Sequence, residues 1–378
     1  MLPRRRRYFA VLGFFLLAAP LVAGLAHPDD PDWIHREARE AAAAPAPPTS
    51  LAAVLALPGE VDAWLKDHFG LRDKMIHLNR DLTKPVIFPR SELAIYGKSG
   101  RIYALGDDMV AQSAGQAMRK DRVLETADLI AAMQAALARR GVRFLVAMPP
   151  NSSTIYPEDL PKWARNRGKA TEYDLMLEAL AARGVKAVDL RPAVKSARSD
   201  GDTYLMNDLH WNVRGAVAAF DAVVAADGRP DWRVDPSVAL GPKAVRKGGD
   251  IARLLGLSDS VSEMTEDLNL RPVGEVESLS AGEMPDHVIT TGAPGPTIMI
   301  IGDSFTAGAF PILASQHAGK VVWIHHRHCG FDWAWIDKFQ PDEVWWMPVE
   351  RFLLCERDRT PKNFRAETAR AEGAPSSE

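Results

Sequence analysis

Cysteine is scarce in this sequence, whose 378 residues include two, Cys329 and Cys355. Two thiols exclude a small scaffold held together by several disulfides, and no Cys-x-x-Cys pair is present to suggest a zinc or dithiol redox site. An oxidising compartment would permit the two cysteines to pair. The sequence alone does not show that they do.

A strong net charge is also missing. The formal charge is −3, and beyond the N-terminus Lys and Arg alternate with Asp and Glu instead of forming a basic stripe. The sequence therefore predicts no binding of nucleic acid. Because 47% of the residues are hydrophobic, the chain can bury a full core, either as one domain of moderate size or as a domain with an accessory lobe.

The N-terminus departs from this balance. Four arginines at 4–7 precede the uncharged apolar run 8–26, close to the roughly 20 residues that cross a bilayer as a helix. We predict a signal-anchor helix over residues 1–27 in a bacterial inner membrane, with the rest of the chain in the periplasm. The small residues Gly24 and Ala26 would also suit signal-peptidase cleavage, which would leave a soluble periplasmic protein.

Composition divides the remainder into three parts. Residues 28–52 are rich in Ala and Pro and read as a linker. Residues 53–356 carry the apolar patterns of a folded domain, whereas 357–378 are charged, lack large apolar residues and predict a disordered tail.

Helix and strand patterns alternate through most of the domain. A helical pattern broken by Gly70 covers residues 54–78, and a glycine turn at 97–100 predicts a hairpin. Strands are predicted over 142–148, 186–190, 297–301, 320–325 and 343–347, and helices over 121–140, 172–183, 212–226, 307–316 and 333–339. Between them lies a polar insertion, 241–291, with one short helix near 251–255. This order predicts an α/β fold with a doubly wound parallel sheet, whose ligand site lies beyond the carboxyl ends of its strands.

Ser304 follows one of these strands directly, in the run Gly302-Asp303-Ser304. The glycine would permit a tight turn, and the free N–H groups at the start of the next helix could stabilise an oxyanion. The motif is short, so the alternative that Asp303 or Ser304 is only a helix cap stays open.

His210 lies in a second motif, Asp208-Leu-His-Trp-Asn212, just before a helix. A serine nucleophile needs a base to take its proton, and histidine suits this at neutral pH. A carboxylate two positions earlier could hold the imidazole in the required tautomer. The alternative is that Asp208 or Asn212 caps the helix and His210 is a packed polar residue.

Together the two motifs resemble the SGNH hydrolase-like domain of the alginate O-acetyltransferase family, of the AlgJ and AlgX type. In that family an Asp-x-His-Trp motif precedes the Gly-Asp-Ser motif, as it does here. Further similar segments lie at 64–72, 96–103, 149–161, 249–251, 341–344 and 350–351. The resemblance implies an SGNH-hydrolase fold of flavodoxin-like type, no cofactor and no metal.

The resemblance also implies residue roles. Ser304 would be the nucleophile, His210 the base and then the acid, and Asp208 the residue that orients it. Candidate oxyanion or substrate contacts are Gly302, Asn151, Asn212 and Arg351, although Asn151 stands in a loop where family members often have lysine. For Arg351 an ion pair with Glu350 competes with a contact to an anionic sugar.

The implied reaction is acetyl transfer through a serine acyl-enzyme to hydroxyls of an exported, alginate-like polysaccharide. A multi-spanning membrane O-acyltransferase would supply the acetyl group. Two alternatives remain: a periplasmic carbohydrate esterase with the same triad, and a non-catalytic polysaccharide-binding subunit of an export complex. The cluster 325–329, with three histidines and Cys329, lacks the ligand spacing of a zinc site and favours a strand-edge or groove-lining role.

Overall fold

The computed structural model describes residues 44–67, 93–282, 284–357 and 359–364, together with five isolated positions near the N-terminus. Apart from those positions, the predicted anchor at 1–27 lies outside the described residues, as does the predicted linker up to residue 43. Among the helices that the structure describes, none combines the length and the apolar character that a bilayer crossing requires.

The chain divides into two compact units. One comprises residues 1–88 with 252–261, and the other comprises 89–251 with 262–378. In the first unit, the helix Leu51–Asp67 covers the beginning of the helical pattern predicted over 54–78, and the rest of that pattern lies outside the described residues. The second unit contains the strands.

The strands in the described residues are β1 (Ala94–Tyr96), β2 (Ile102–Ala104), β3 (Arg143–Ala147), β4 (Ala187–Val188), β5 (Leu240–Lys247), β6 (Ser262–Leu268), β7 (Glu275–Ser278), β8 (His287–Thr290), β9 (Thr297–Gly302), β10 (Lys320–His325) and β11 (Glu343–Met347). β1 and β2 form the predicted hairpin, and β5 pairs with β6. The other seven form the central sheet in the order β4-β3-β11-β9-β10-β8-β7.

The helices of the second unit lie between and around these strands. They are Met109–Ser113, Lys120–Ala138, Ser152–Ile155, Glu172–Ala182, Arg191–Ser196, Val213–Ala226, Pro236–Ala239, Ser304–Ala307, Ala309–Ser315 and Ala334–Phe339. The helix Asp250–Leu254 begins in the second unit and ends in a segment assigned to the first. The helix predicted over 307–316 is thus two short helices, the first of which begins at Ser304.

The central sheet is mixed, which corrects the prediction of a parallel sheet. The five strands from β4 to β10 in the sheet order are parallel, but β8 runs antiparallel to β10, and β7 antiparallel to β8. Both β7 and β8 come from the insertion 241–291, for which one short helix was predicted. The connection 279–286 is shorter than the dozen or so residues that a parallel crossover needs, so β7 and β8 can only pair antiparallel.

The order of the parallel strands also differs from the flavodoxin-like order that the resemblance implied. Numbered along the chain, the five parallel strands lie in the order 2-1-5-3-4, whereas the flavodoxin order is 2-1-3-4-5. The last strand, β11, lies inside the sheet next to β9. As a result β9, which leads to Ser304, has a parallel neighbour on each side.

Helices cover both faces of the sheet, so successive side chains of a buried strand enter different hydrophobic clusters. In β9, Ile300 belongs to the cluster that includes the helix Val213–Ala226, whereas Ile301 belongs to the cluster that includes the helix Lys120–Ala138. This is the doubly wound arrangement that the alternation of strands and helices predicts.

Packed structure continues past residue 357, where a disordered tail was predicted to begin. The Phe364 side chain is buried, and its ring centroid lies 4.6 Å from that of Trp333. The Trp333 backbone N–H donates a hydrogen bond of 2.9 Å to the Lys362 carbonyl.

The two cysteines form a disulfide. Cys329 follows β10, Cys355 follows β11, and their Cα atoms lie 5.3 Å apart. The bond therefore ties together the segments that leave the carboxyl ends of two strands in the sheet.

Candidate active site

Ser304 begins a short helix directly after β9, and Asp303 holds the turn between them. One carboxylate oxygen of the buried Asp303 accepts a 3.0 Å hydrogen bond from the Phe305 N–H, and the other accepts a 2.7 Å bond from the Val349 N–H beyond β11. Burial favours the neutral acid, but the nearby His326 side chain holds the pKa of Asp303 below its usual value. Of the two capping residues that the sequence allowed, Asp303 is thus the one that caps the helix. The Ser304 hydroxyl is not used as a cap.

Gly302 is buried at the end of β9, where its lack of a side chain matters. A Cβ at this position would collide with the hydroxyl of Thr306, which lies on the first turn of the next helix. That hydroxyl accepts a 3.0 Å hydrogen bond from the Trp323 indole. Glycine at position 302 therefore permits the close approach of β9 and the helix that begins at Ser304. The predicted oxyanion role of Gly302 stays a prediction.

The structure brings Ser304, His210 and Asp208 together. His210 Nε2 lies 2.7 Å from Ser304 Oγ, and His210 Nδ1 lies 2.7 Å from Asp208 Oδ1. Asp208 is buried, whereas the His210 side chain keeps about a quarter of its surface exposed. The arrangement can pass a proton from the hydroxyl to the imidazole while the carboxylate fixes the position of the ring.

A second carboxylate also faces the imidazole. Asp250 Oδ2 lies 3.0 Å from His210 Nδ1, and the Asp250 backbone N–H donates to Asp208 Oδ2 at 3.2 Å. Sequence reasoning noted residues 249–251 as similar to the family but gave Asp250 no role. Asp250 lies some forty positions after the motif that contains His210, so only the fold reveals the contact between the two side chains.

Gly249 makes this contact possible. A Cβ on Gly249 would lie 2.5 Å from the Asn207 carbonyl oxygen and 2.6 Å from Asp208 Cβ, closer than real contacts allow. The backbone at Gly249 therefore packs directly against the loop that carries His210. This close approach brings Asp250 within reach of the ring.

Electrostatics at the site favour the imidazolium. Burial alone would lower the pKa of His210, but the hydrogen bonds and charges of Asp208 and Asp250 raise it to about 9. Burial would raise the pKa of Asp208, yet His210 and then Arg246, at 3.4 Å, hold it well below its usual range. The pair is therefore charged at neutral pH, and neutral imidazole becomes more abundant as the pH rises toward 9.

Trp211 connects the histidine loop to the serine loop. Its indole N–H donates a 2.8 Å hydrogen bond to the Phe305 carbonyl, and its ring stacks on Phe310 with centroids 5.8 Å apart. The sequence motif contained Trp211 without suggesting a role. In the structure it fixes the spacing of the loops that carry His210 and Ser304.

The side chains of two other predicted substrate contacts, Asn212 and Asn151, hydrogen-bond to other parts of the chain. The Asn212 side chain caps the helix Val213–Ala226: its oxygen accepts from the Gly215 N–H at 3.0 Å and its amide donates to the Asp202 carbonyl at 2.6 Å. Asn212 thus has the capping role that the sequence left open, and its predicted substrate contact stays a prediction. Asn151 follows β3 and is buried, but its side chain makes one long contact of 3.5 Å, to Gln112, and none to the triad among the described residues.

Arg351 does not pair with Glu350, which corrects the expected ion pair. Glu350 is buried and accepts a 2.7 Å hydrogen bond from the Asn151 N–H and another from the Thr154 hydroxyl. Burial raises the pKa of Glu350 to about 7. The Arg351 guanidinium carbon lies 5.2 Å from the centre of the Phe305 ring.

One group in the described part of the chain has the spacing of a metal site. Ligand atoms of Asp208, His210 and Asp250 lie within 4.8 Å of one another. The same atoms make the hydrogen bonds of the imidazole, and His210 Nε2 is directed at Ser304. In the cluster 325–329, Cys329 is oxidised and His326 lies beside Asp303, so these residues do not converge as ligands.

Residues 107–348, well over half of the chain, match the family described as "ALGX: SGNH hydrolase-like domain, acetyltransferase AlgX". The chain belongs to this family. The resemblance inferred from the two motifs is thereby confirmed, and the fold is of the SGNH-like α/β class.

Two curated relatives carry the name "Probable alginate O-acetylase AlgJ". The protein from Pseudomonas syringae pv. tomato is 26% identical over 164 residues, 41% of either chain, and that from Pseudomonas aeruginosa is 24% identical over 189 residues, 47% of this chain and 48% of its own. The match thus spans less than half the length of these relatives.

Two solved structures are also similar. The O-acetyltransferase domain of Pseudomonas putida AlgJ is 17% identical, with a TM-score of 0.48 over 70% of this chain and 93% of that one. Bacillus cereus PatB1 is 14% identical, with a TM-score of 0.47 over 64% of this chain and 93% of that one.

Proposed function

We propose that the protein is an O-acetyltransferase that moves an acetyl group through Ser304 to hydroxyls of an exported, alginate-like polysaccharide. The observation that carries the proposal is the position of His210, with one ring nitrogen 2.7 Å from Ser304 Oγ and the other 2.7 Å from Asp208. Membership of the acetyltransferase family and the names of the curated relatives support the acetyl group and the polymer.

In the first half of the reaction, Ser304 Oγ attacks the carbonyl carbon of the acetyl donor while its proton moves to His210 Nε2. The charge that develops on the carbonyl oxygen is stabilised by the Ser304 backbone N–H at the start of the helix. The tetrahedral intermediate collapses as His210 returns the proton to the leaving oxygen. The product is an acetyl ester on Ser304.

In the second half, a sugar hydroxyl takes the place of the donor. Its proton moves to His210 Nε2, its oxygen attacks the acetyl carbon, and the bond to Ser304 Oγ breaks as the serine recovers a proton. Asp208 holds the Nδ1–H tautomer and stabilises the imidazolium. Asp250 acts on the same N–H as a second acceptor, so that two carboxylates stabilise the charged ring.

The place of the reaction is proposed as the periplasm. The disulfide between Cys329 and Cys355 supports an oxidising compartment. An N-terminal helix over residues 1–27 would hold the protein at the inner membrane, and a multi-spanning membrane O-acyltransferase would deliver the acetyl group. The domain itself supplies the serine, the base and the acceptor site.

The test is an acetyl-transfer assay with a chromogenic acetyl ester, with and without a polysaccharide acceptor. We expect acetylated polymer from the wild type and from Ser199→Ala, a control at an exposed serine, but none from Ser304→Ala. Ester hydrolysis with no polymer product at any acceptor concentration would indicate an esterase instead. Polymer acetylation that persists in cells carrying Ser304→Ala would refute the serine mechanism.

A further inference from the structure

A basic patch lies on the connection between β3 and the helix Glu172–Ala182. Its cations are Lys162, Arg165, Arg167 and Lys169, and residues 160–170 contain no Asp or Glu. Three of the four side chains are exposed, and Arg165 is half-buried. The patch is therefore a local positive field on a chain whose formal charge is −3.

The neighbouring carboxylates do not neutralise the basic patch, because each is paired with an arginine outside it. These pairs are Glu158 with Arg198, Asp159 with Arg101, Glu172 with Arg119 and Asp174 with Arg191. In the described part of the chain, no carboxylate lies within ion-pair distance of the four cations. Arg165 donates to two backbone carbonyls, which leave its charge uncompensated. The charge of the patch is thus available to an external anionic surface.

Two large apolar side chains are exposed beside these cations. Trp163 is 48% exposed, and it is the one exposed tryptophan among those that the structure describes. Met118, which is 42% exposed, ends the segment 113–118, and the Gln116 amide of that segment donates a 3.1 Å hydrogen bond to the Trp163 carbonyl. An indole and an apolar side chain bordered by lysines and arginines are the combination typical of proteins that lie on a bilayer surface.

The connection that carries the patch begins and ends at the edge of the sheet that carries Ser304. It leaves the carboxyl end of β3 at Met148 and enters the next helix near Tyr173, whose hydroxyl donates a 2.8 Å hydrogen bond to the Met148 carbonyl. β3 is parallel to β11, which is parallel to β9, so the carboxyl ends of β3 and β9 lie at the same edge. A surface that binds the patch would therefore face the edge with the nucleophile.

We propose that the basic patch docks the domain on a bilayer with anionic lipid headgroups, with Trp163 and Met118 inserted where the headgroups meet the acyl chains. Negative lipids attract the four cations, and each cation near such a surface strengthens binding by about fivefold. The indole is amphipathic and the methionine side chain is apolar, so both gain from leaving water at that depth. An anionic polymer shares the negative charge but offers no apolar layer for Met118.

Docking through the patch would turn the edge of the sheet with Ser304 toward the membrane. The predicted anchor over residues 1–27 would hold the domain beside the same bilayer, so weak binding by the patch is enough to orient the domain. The inference goes beyond the proposed function, because lipid binding requires no acetyl transfer.

The test is a lysine footprint of the full chain reconstituted into vesicles. A membrane-impermeant amine reagent modifies exposed lysines, and mass spectrometry gives the rate at each one on phosphatidylglycerol vesicles and on phosphatidylcholine vesicles. We expect Lys162 and Lys169 to react at least about tenfold more slowly on the anionic lipid. Lys186, which is exposed just before β4 at the opposite edge of the sheet, should react equally on both. High salt should remove the difference, because it screens exposed charges.

Variants at exposed positions test whether the patch causes the protection. Arg167→Gln removes one cation and should reduce the protection of Lys162 and Lys169 by about fivefold. Trp163→Ser should also reduce it, because the inserted indole is lost. The matched control is Arg139→Gln, at an exposed arginine outside the patch, which should leave the protection unchanged.

Three results would overturn the proposal. The first is equal labelling of Lys162 and Lys169 on the two lipids, and the second is protection that neither Arg167→Gln nor Trp163→Ser reduces. The third uses a soluble polyuronate added to the phosphatidylcholine vesicles: if it protects the two lysines as well as the anionic vesicles do, the patch binds a polysaccharide instead. Because acetyl transfer is not measured, none of these results bears on the proposed function.

Discussion

The second carboxylate on His210 gives a prediction that distinguishes this site from a simple triad. Asp250 Oδ2 lies 3.0 Å from His210 Nδ1, and together with Asp208 it raises the pKa of the ring to about 9 despite burial. The perturbation is Asp250→Asn, which keeps the shape of the side chain and removes its charge. Asp208 stays in place, so the tautomer of the ring is preserved.

The size of the effect follows from the hydrogen bond that is lost. A hydrogen bond to a charged group contributes about 1.5–3 kcal/mol, and one pH unit corresponds to about 1.4 kcal/mol. In the wild type, kcat/KM should rise with pH as neutral imidazole forms and level off above about pH 9. In Asp250→Asn the plateau should begin about 1–2 pH units lower, since the imidazolium is less stabilised.

The height of the plateau should change as well. A weaker base removes the serine proton less effectively, so the plateau in Asp250→Asn should fall by about tenfold, whereas the two enzymes should approach each other below pH 7. The assay is hydrolysis of a chromogenic acetyl ester from pH 5 to 10, paired with an NMR titration of His210 in the Ser304→Ala background. Asp267→Asn is the control, because Asp267 is an exposed aspartate. An unchanged pH profile and an unchanged His210 titration in Asp250→Asn would refute the coupling.

Three further predictions concern the framework of the site. Gly249→Ala should lower kcat by about tenfold or more, because the added methyl would lie 2.6 Å from Asp208 Cβ; a full-rate variant would show that the loop can move away. Trp211→Phe should lower kcat about tenfold with the fold retained, since it loses the 2.8 Å bond to the serine loop, and a kcat equal to that of the wild type would contradict the linking role. The double variant Cys329→Ser/Cys355→Ser should lose about 3–4 kcal/mol of unfolding free energy, given a separation of 26 residues, as measured by denaturant unfolding; wild-type stability in the variant would count against a formed disulfide.

The strands buried on both faces were the easiest part of the fold to predict. β10 and β11 have the bounds that their continuous apolar runs predict, and both are buried in the structure. β7 has the opposite character: all four residues from Glu275 to Ser278 are exposed, and their sequence contains no alternation to mark a strand. Such an edge strand is defined by its partner β8, and pairing between distant segments is not visible in local composition.

The same contrast applies to the site. Ser304, His210 and Asp208 could be selected because each lies in a short motif next to a strand or helix that the pattern predicts. Sequence reasoning assigned no role to Asp250 and left two roles open for Arg351, because their surroundings depend on how separate loops meet above the sheet. The direction of Glu350, toward Asn151 and away from Arg351, is likewise a consequence of packing that adjacent positions in a sequence do not reveal.

The position of β9 in the sheet has a consequence for how the protein is made. Its hydrogen-bonded neighbours, β10 and β11, both follow Ser304 in the chain, and the Val349 N–H that binds Asp303 comes later still. A growing polypeptide that has just emerged past residue 304 therefore has no partner for this strand and no fixed turn around the serine. A product cut short before β11 would contain Ser304, His210 and Asp208 but would lack one of the two strands beside β9 and the N–H group that binds Asp303, so the turn around the serine is complete only once the chain is nearly finished.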